Sequence, residues 1–177
     1  MRVETEPEHS DVPWQRIRLE VAEVPSRTNE PRSLVRNHDV IPDGYVANVV
    51  RVETKEEILA DKLVAFPAAL PTYVRWRDIW DMHWLRGQRV AVDAALVSAK
   101  ARDYRIDDHV RLLADAVEQL PGLVRSGRLA VKLGDFVPTD VAARTVRNQA
   151  WLDAVPTEIH ELLGGLHHDL MTNSESN

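Results

Sequence analysis

Charged residues whose types and spacing suit chemistry lie close together in residues 56–85. Lys62 interrupts an otherwise apolar helical pattern, and the segment RWRDIWD at residues 75–81 places two arginines and two aspartates among tryptophans. Core positions exclude such charges unless each finds a partner. Asp78 and Asp81 are three residues apart and share a helix face, while Arg77 and Asp81 are four apart and can pair. This cluster is the first candidate for a functional site.

An ordinary structural interpretation accounts for the same residues. A surface pair between Arg77 and Asp81 contributes under ~1 kcal/mol, and Lys62 can extend its ammonium group out of a partly buried face. Ion-pair networks without a function also resemble sites. The residue types alone leave both interpretations open.

Local signals predict the two helices that carry the cluster. Residues 54–57 fit a capping box, in which the Thr54 hydroxyl and the Glu57 carboxylate each accept from the other residue's N–H. The apolar spacing then predicts a helix from about Lys55 to Phe66. Proline lacks the N–H that a helix needs, so this helix should stop or kink at the prolines that follow, Pro67 and Pro71.

The second helix is predicted from about Val74 to Arg86, with Gly87 as its left-handed stop. Its tryptophans recur every fourth residue, at 76, 80 and 84, and are predicted to form a packing stripe. Asp78 and Asp81 would project from this helix.

The order of these residues is AxKxxA at 60–65, a variable spacer, and RxRDxxD at 75–81. It resembles the third motif of the AbiEii/AbiGii toxin family of nucleotidyltransferases. The flanking segments VVRVETKEEILADKLVAF and DIWDMHWL look similar to that family as well. The resemblance covers most of the chain from about Trp14.

The clearest predicted strand is WQRIRLEVAEV, residues 14–24, and Glu20 lies mid-strand on the face opposite its apolar residues. A solvent-facing glutamate on a half-buried sheet is the commoner situation. However, IRLEV resembles the family's second motif, whose carboxylate joins others to hold Mg²⁺. The resemblance therefore implies Glu20 as a metal ligand and Mg²⁺ as a cofactor.

The resemblance also implies a role for each residue of the cluster. Lys62 would bind the triphosphate of an NTP, with Arg75 and Arg77 completing the nucleotide-binding set. Asp78 or Asp81 would orient the acceptor or Lys62 itself. The implied partners are NTP, an acceptor such as tRNA or another nucleic acid, and a cognate antitoxin protein.

This chain departs from the family pattern at the first motif. That motif is a glycine-pair turn followed by Arg-x-Ser-x-Asp-x-Asp and supplies the main metal carboxylates, and no such stretch precedes Glu20. A lone carboxylate binds Mg²⁺ poorly, because hard cations need several oxygen ligands. We therefore expect either a truncated toxin that needs upstream residues or a catalytically inactive nucleotide- or protein-binding relative. A helical interaction protein with a purely structural cluster is the third alternative.

The composition of the chain excludes some classes of protein and disfavours others. The chain has 177 residues, 44% of them hydrophobic, no cysteine and a formal net charge of −6. Disulfides and thiol catalysis are excluded, and a strongly basic, duplex-coating protein is disfavoured. No apolar run is long enough to span a membrane, and the acidic N-terminus does not resemble a signal peptide, so a cytoplasmic protein is expected.

The predicted fold class is α+β, a remnant of a nucleotidyltransferase-type mixed sheet followed by a C-terminal helical bundle. Its predicted parts are a disordered lead at 1–13, a partial nucleotidyltransferase-like lobe at 14–87 and a helical lobe at 88–177. In the helical lobe, helices are predicted at 91–102, at 108–120 closed by Pro121-Gly122, at 138–147 and from Pro156 onward, while 128–137 is ambiguous between strand and extended chain.

One weak metal signal lies in the last helix. His167, His168 and Asp169 follow His160, but no third ligand stands at a fixed spacing. We interpret them as exposed histidines of the C-terminal tail.

Overall fold

The computed structural model describes residues 2–5, 15–18, 23–33, 49–125, 127–134 and 136–175. Its strands are β1 (Arg2–Thr5), β2 (Gln15–Arg18), β3 (Asn29–Ser33) and β4 (Val49–Glu53). Its helices are α1 (Lys55–Ala69), α2 (Trp76–Gly87), α3 (Ala94–Asp103), α4 (His109–Arg125), α5 (Arg128–Gly134), α6 (Thr139–Arg144) and α7 (Gln149–Glu175).

The described strands form two separate antiparallel pairs. β1 pairs with β2, with Val3 opposite Ile17, and β3 pairs with β4, with Pro31 opposite Arg51. The described chain is thus mostly helical with small antiparallel sheets, which is consistent with an α+β class. The nucleotidyltransferase-type mixed sheet stays a prediction. The disordered lead needs a correction, because part of residues 1–13 forms strand β1.

The hydrophobic core is built around α1. This helix packs against α2, α3 and α4, and α7 lies along α4 and also reaches α2 and α3. The fully buried core side chains include Leu59, Leu63 and Phe66 of α1, Ile79 and Met82 of α2, Leu113 and Leu120 of α4, and Ile159 and Leu163 of α7. None of the helices in the described part of the chain is long and apolar enough to cross a membrane.

α1 continues through Pro67, where the sequence predicted a stop or kink. Pro67 has no N–H to donate to the Leu63 carbonyl four residues earlier. The Nε2 atom of the buried His109 lies 3.1 Å from that oxygen and takes the place of the missing donor. Since a carbonyl only accepts, this hydrogen bond places a proton on Nε2. Burial lowers the pKa of His109, against the effect of the Leu63 hydrogen bond.

The prolines of α4 and α7 were also predicted wrongly as helix boundaries. Pro121 lies inside α4 and Pro156 lies inside α7. The neighbouring residues Leu120 and Val155 are fully buried in the core. Packing of an apolar helix face outweighs the local cost of a proline, because most helix stability in a protein comes from tertiary contacts.

α2 ends at Gly87, as predicted, but the left-handed residue comes two positions later. Gly87 is still helical, and Arg89 adopts the left-handed conformation with φ of 59°. The N–H of Val90 donates to the Leu85 carbonyl at 3.2 Å, and the N–H of Arg89 donates to the Arg86 carbonyl at 2.8 Å. These two bonds form a Schellman motif, which here uses arginine where glycine is usual.

The ambiguous stretch at 128–137 contains helix α5 and a turn. α5 packs against α2 and α4, so residues far along the chain reach the helix that carries Asp78 and Asp81. This placement matters for the site below.

Candidate functional site

The ammonium group of Lys62 lies between two carboxylates of the neighbouring helix. Its Nζ is 2.8 Å from Oδ1 of Asp78 and 2.6 Å from Oδ2 of Asp81. The i,i+3 spacing places both aspartates on the α2 face that meets α1, as the sequence predicted. Burial alone would lower the pKa of Lys62, but the two carboxylates outweigh it and raise that pKa. Lys62 therefore stays a protonated cation.

Asp78 also binds Arg75, which occupies the N-cap position of α2. The Asp78 side chain is 2% exposed, and its second oxygen accepts from Nε of Arg75. Arg75 in turn donates through Nη1 to the hydroxyl of Tyr73 at 3.3 Å. The Asp78 hydrogen bond, ahead of the opposing effect of burial, raises the pKa of Arg75. With both oxygens engaged by cations, Asp78 is suited to positioning Lys62 and Arg75 rather than to accepting a proton.

Arg77 has a different partner from the one that its spacing predicted. Asp81 pairs with Lys62, and the Arg77 guanidinium lies 3.8 Å from the centroid of the Phe136 ring. A planar guanidinium stacks well on an aromatic face. The predicted Arg77–Asp81 pair is therefore wrong, because each residue has a partner from another helix or turn that local spacing could not reveal.

These side chains surround one cavity of about 440 Å³ between α1, α2 and the end of α5. It is lined by Lys62, Tyr73, Val74, Arg75, Trp76, Arg77, Asp78, Asp81, Lys132 and Phe136. Four cationic side chains face two carboxylates, so the lining carries a formal charge of +2. Such a site favours an anionic ligand, and the cavity is within the usual size range for a small-molecule pocket.

Sequence reasoning missed Lys132 and Phe136 as members of this site. They lie on α5 and the turn that follows it, some fifty residues beyond Asp81. The secondary structure of residues 128–137 was ambiguous in the sequence. No local spacing links Lys132 and Phe136 to Lys62 or to the aspartates. Only the packing of α5 on α2 brings them there.

The predicted metal ligand Glu20 lies outside the described residues, so Mg²⁺ binding through it stays a prediction. Within the described ranges, no three His, Asp or Glu side chains are grouped so as to hold a metal ion. In the cavity, Asp78 and Asp81 are both bound to cations. These described residues do not by themselves fit a magnesium site, which needs several available oxygen ligands.

A second charged cluster, also missed, lies where the end of β4 and residues 26–28 meet α1 and α3. The side chain of Lys100 is 1% exposed, and its Nζ is 2.8 Å from Glu57, 3.0 Å from Asp61 and 3.4 Å from Glu53. Glu57 also accepts from the backbone N–H groups of Arg27 and Thr28, at 2.7 and 2.5 Å. This cluster ties residues 26–28 to α1 and α3.

Only half of the predicted capping box forms, because Glu57 belongs to this second cluster. The Thr54 hydroxyl accepts from the Glu57 N–H at 3.3 Å, while the Thr54 N–H donates to the Thr28 carbonyl. Burial alone would raise the pKa of Glu57, but Lys100 and the N–H donors lower it to about 2. Burial likewise opposes the raised pKa of Lys100, which Glu57 and Asp61 bring about.

The segment that contains Lys62, Asp78 and Asp81 is covered by the model of a known family. A family model described as Nucleotidyl transferase AbiEii toxin, Type IV TA system, matches residues 1–155. The chain belongs to this family. No curated protein and no solved structure matches it. Membership in the AbiEii family supports a toxin of a type IV toxin–antitoxin system, and it implies a cognate antitoxin partner.

Proposed function

We propose that this AbiEii-family chain binds a nucleoside triphosphate in the cavity between α1, α2 and α5. The chain then transfers the nucleotidyl group to an acceptor, and the expected acceptor class is tRNA or another nucleic acid. The observation that carries the proposal is the ammonium of Lys62, held by Asp78 and Asp81 at a cavity whose lining has excess positive charge. A triphosphate is the ligand chemistry that best matches this charge.

The hydrogen-bonding capacity of Lys62 supports this role. An ammonium group has three donors, and the two aspartates account for two of them. The third is available for a phosphate oxygen. Arg75, Arg77 and Lys132 line the same cavity and supply further N–H donors, and guanidinium groups match phosphate geometry in a bidentate manner.

The difference in exposure between the two aspartates indicates which of them can accept a proton from the acceptor. Asp81 is 39% exposed, against 2% for Asp78, so Asp81 is the carboxylate that an acceptor hydroxyl can reach. In the proposed step the hydroxyl oxygen bonds to the α-phosphorus, and its proton passes to Asp81. The bond from the α-phosphorus to the bridging oxygen breaks, and pyrophosphate leaves with the electron pair. Lys62 and the arginines offset the charge that develops on the phosphates.

Transfer of an α-³²P label from each of the four NTPs to a tRNA pool tests this function. We expect labelled tRNA with wild-type protein, and at least a ~100-fold lower rate for Lys62→Met, since removing one donor to developing charge typically costs that much. Lys55→Met is the matched control, because Lys55 is on the same helix but lies over Trp84, away from the cavity. Equal transfer by wild-type protein and Lys62→Met would contradict the assigned role of Lys62.

A second candidate function is a nucleotide- or protein-binding relative without turnover. The pairing of both cavity carboxylates with cations favours it. Calorimetry with NTP in the presence and absence of Mg²⁺ separates the two candidates. Binding that does not depend on Mg²⁺, with no label transfer, supports the non-catalytic relative, whereas transfer supports the enzyme.

A further inference from the structure

Two aromatic side chains at the edge of the cationic cavity are largely exposed. Tyr73 and Phe136 are each 57% exposed, and both line the cavity that contains Lys62. Exposed aromatic rings that line a polar cavity are a common feature of ligand-binding surfaces. An inorganic anion would use only the cations, so these rings indicate a ligand with a flat apolar part.

Backbone hydrogen bonds hold the two turns that carry these rings. After α5, the N–H groups of Phe136 and Val137 both donate to the carbonyl of the buried Leu133, at 2.9 and 3.2 Å. Between α1 and α2, the N–H of Tyr73 donates to the Ala69 carbonyl at 2.9 Å. Each ring therefore projects from a turn that is anchored to a core helix. Such preorganisation lowers the entropic cost of binding.

Arg77 occupies only one side of Phe136. Its guanidinium lies 3.8 Å from the ring centroid, and more than half of the Phe136 surface is nevertheless open to solvent. A base can stack on the open side of the ring while the phosphates of the same molecule contact the cavity cations. Alternation of aromatic and cationic side chains is how proteins bind nucleotides without reading base edges.

We propose that Tyr73 and Phe136 form a nucleobase subsite, which holds the base of the NTP by stacking. This inference rests on the proposed function, since it adds a base contact to the triphosphate contacts of Lys62 and the arginines. Stacking tolerates any base. The subsite therefore distinguishes a nucleoside triphosphate from a bare polyphosphate, rather than one base from another.

Calorimetry on the full chain with ATP and with inorganic tripolyphosphate tests the subsite. We expect wild-type protein to bind ATP about 10-fold more tightly than tripolyphosphate, the size of a typical base–aromatic stack. Phe136→Leu and Tyr73→Leu should each weaken ATP binding about 5- to 10-fold more than they weaken tripolyphosphate binding, because the contacts of the two rings with Arg77 and Arg75 matter to both ligands and stacking matters only to ATP. Lys62→Met should weaken both ligands. Trp84→Leu, an exposed aromatic of α2 outside the cavity, should change neither.

A fluorescent nucleotide gives a direct readout of stacking. The fluorescence of 2-aminopurine riboside triphosphate should fall when it binds wild-type protein, and this quenching should be lost with Phe136→Leu. ATP and tripolyphosphate binding wild-type protein equally, or both leucine variants binding ATP as wild type does, would overturn the subsite and leave the triphosphate site standing. Failure of wild-type protein to bind either ligand would overturn the proposed function together with it.

Discussion

Asp78 and Asp81 bind the same ammonium group, but their surroundings differ. Asp78 is buried and bound to two cations, whereas Asp81 is partly exposed and bound to Lys62. Removing one partner from a buried ion pair leaves an uncompensated charge, which costs far more than removing a partner at the surface. The two residues should therefore contribute very differently to stability.

We predict that Asp78→Asn lowers the free energy of unfolding by about 3 kcal/mol, and that Asp81→Asn lowers it by under ~1 kcal/mol. Urea denaturation followed by circular dichroism at pH 7 measures both. Asp81→Asn is the matched control, since it removes a carboxylate from the same lysine. Equal losses for the two variants would contradict the division of roles between a positioning and a reactive carboxylate.

Glu57 makes a pH-dependent contribution to stability. Its folded pKa of about 2 lies below the ordinary value of 4.5, so the folded state binds the proton more weakly than the unfolded state does. The contribution is complete above about pH 4.5 and is lost as the pH falls towards 2. At roughly 1.4 kcal/mol for each pH unit, it amounts to about 3 kcal/mol at neutral pH.

We therefore predict that the stability difference between wild-type protein and Glu57→Gln shrinks steadily between pH 5 and pH 2. Urea denaturation at several pH values measures it. Glu56→Gln, at the exposed neighbouring position, is the control and should change the stability only slightly. A Glu57→Gln difference that does not change with pH would show that Lys100 and the backbone donors do not hold this carboxylate ionised.

Among the helices, the continuation of α1 through Pro67 depends on a residue of α4. His109 supplies the hydrogen bond to the Leu63 carbonyl that a residue at position 67 would normally supply. An unsatisfied buried carbonyl costs about 1–3 kcal/mol. We predict a loss of this size for His109→Phe, and a smaller loss for His109→Phe combined with Pro67→Ala, because alanine restores the helical N–H.

The pH dependence gives this prediction a second measurement. Burial lowers the pKa of His109, so its contribution to stability is complete above the ordinary value of about 6.5 and is lost as the pH falls through the lowered pKa. His109→Phe should remove that part of the pH profile. A double-mutant cycle by urea denaturation gives the coupling between positions 67 and 109, and additive effects would refute their link.

The helices also show how far sequence patterns predict this protein. The spacing of Asp78 and Asp81 was sufficient to place them on one helix face, because i,i+3 geometry is local. Their contact with Lys62 of α1 was implied only by the family resemblance. The Arg77–Asp81 pair and the second half of the capping box were wrong, and so was the left-handed conformation of Gly87, although α2 does end at that residue. In the first two cases a more distant partner, Phe136 or Lys100, was invisible to spacing rules. In the third, Arg89 adopts a conformation that composition does not predict.

Across the whole molecule, α7 connects the core to the helix that carries the aspartates. The indole Nε1–H of Trp151 donates to Nε2 of His83 on α2 at 3.0 Å. Because indole is only a donor, that nitrogen must accept, so Nδ1 of His83 carries a proton and donates it to Glu158 of α7 at 2.7 Å. Trp80 also packs on Trp151, with ring centroids 5.5 Å apart. The position of α2, and hence of the cavity, depends on α7.

The family match ends at residue 155, but the core does not. The apolar side chains of Ile159, Leu162, Leu163, Leu166 and Leu170 are buried against the rest of the chain. At about 2 kcal/mol for each side chain, their burial contributes on the order of 10 kcal/mol, comparable to the whole stability of a typical domain.

We therefore predict that a protein ending at residue 155 lacks a cooperative thermal transition by circular dichroism. A protein ending at residue 171 keeps these side chains and should unfold cooperatively within a few degrees of the full chain. Cooperative unfolding of the shorter protein at the full chain's Tm would mean that residues 156–170 are an appendage, and that the matched region alone holds α2 and its cavity in place.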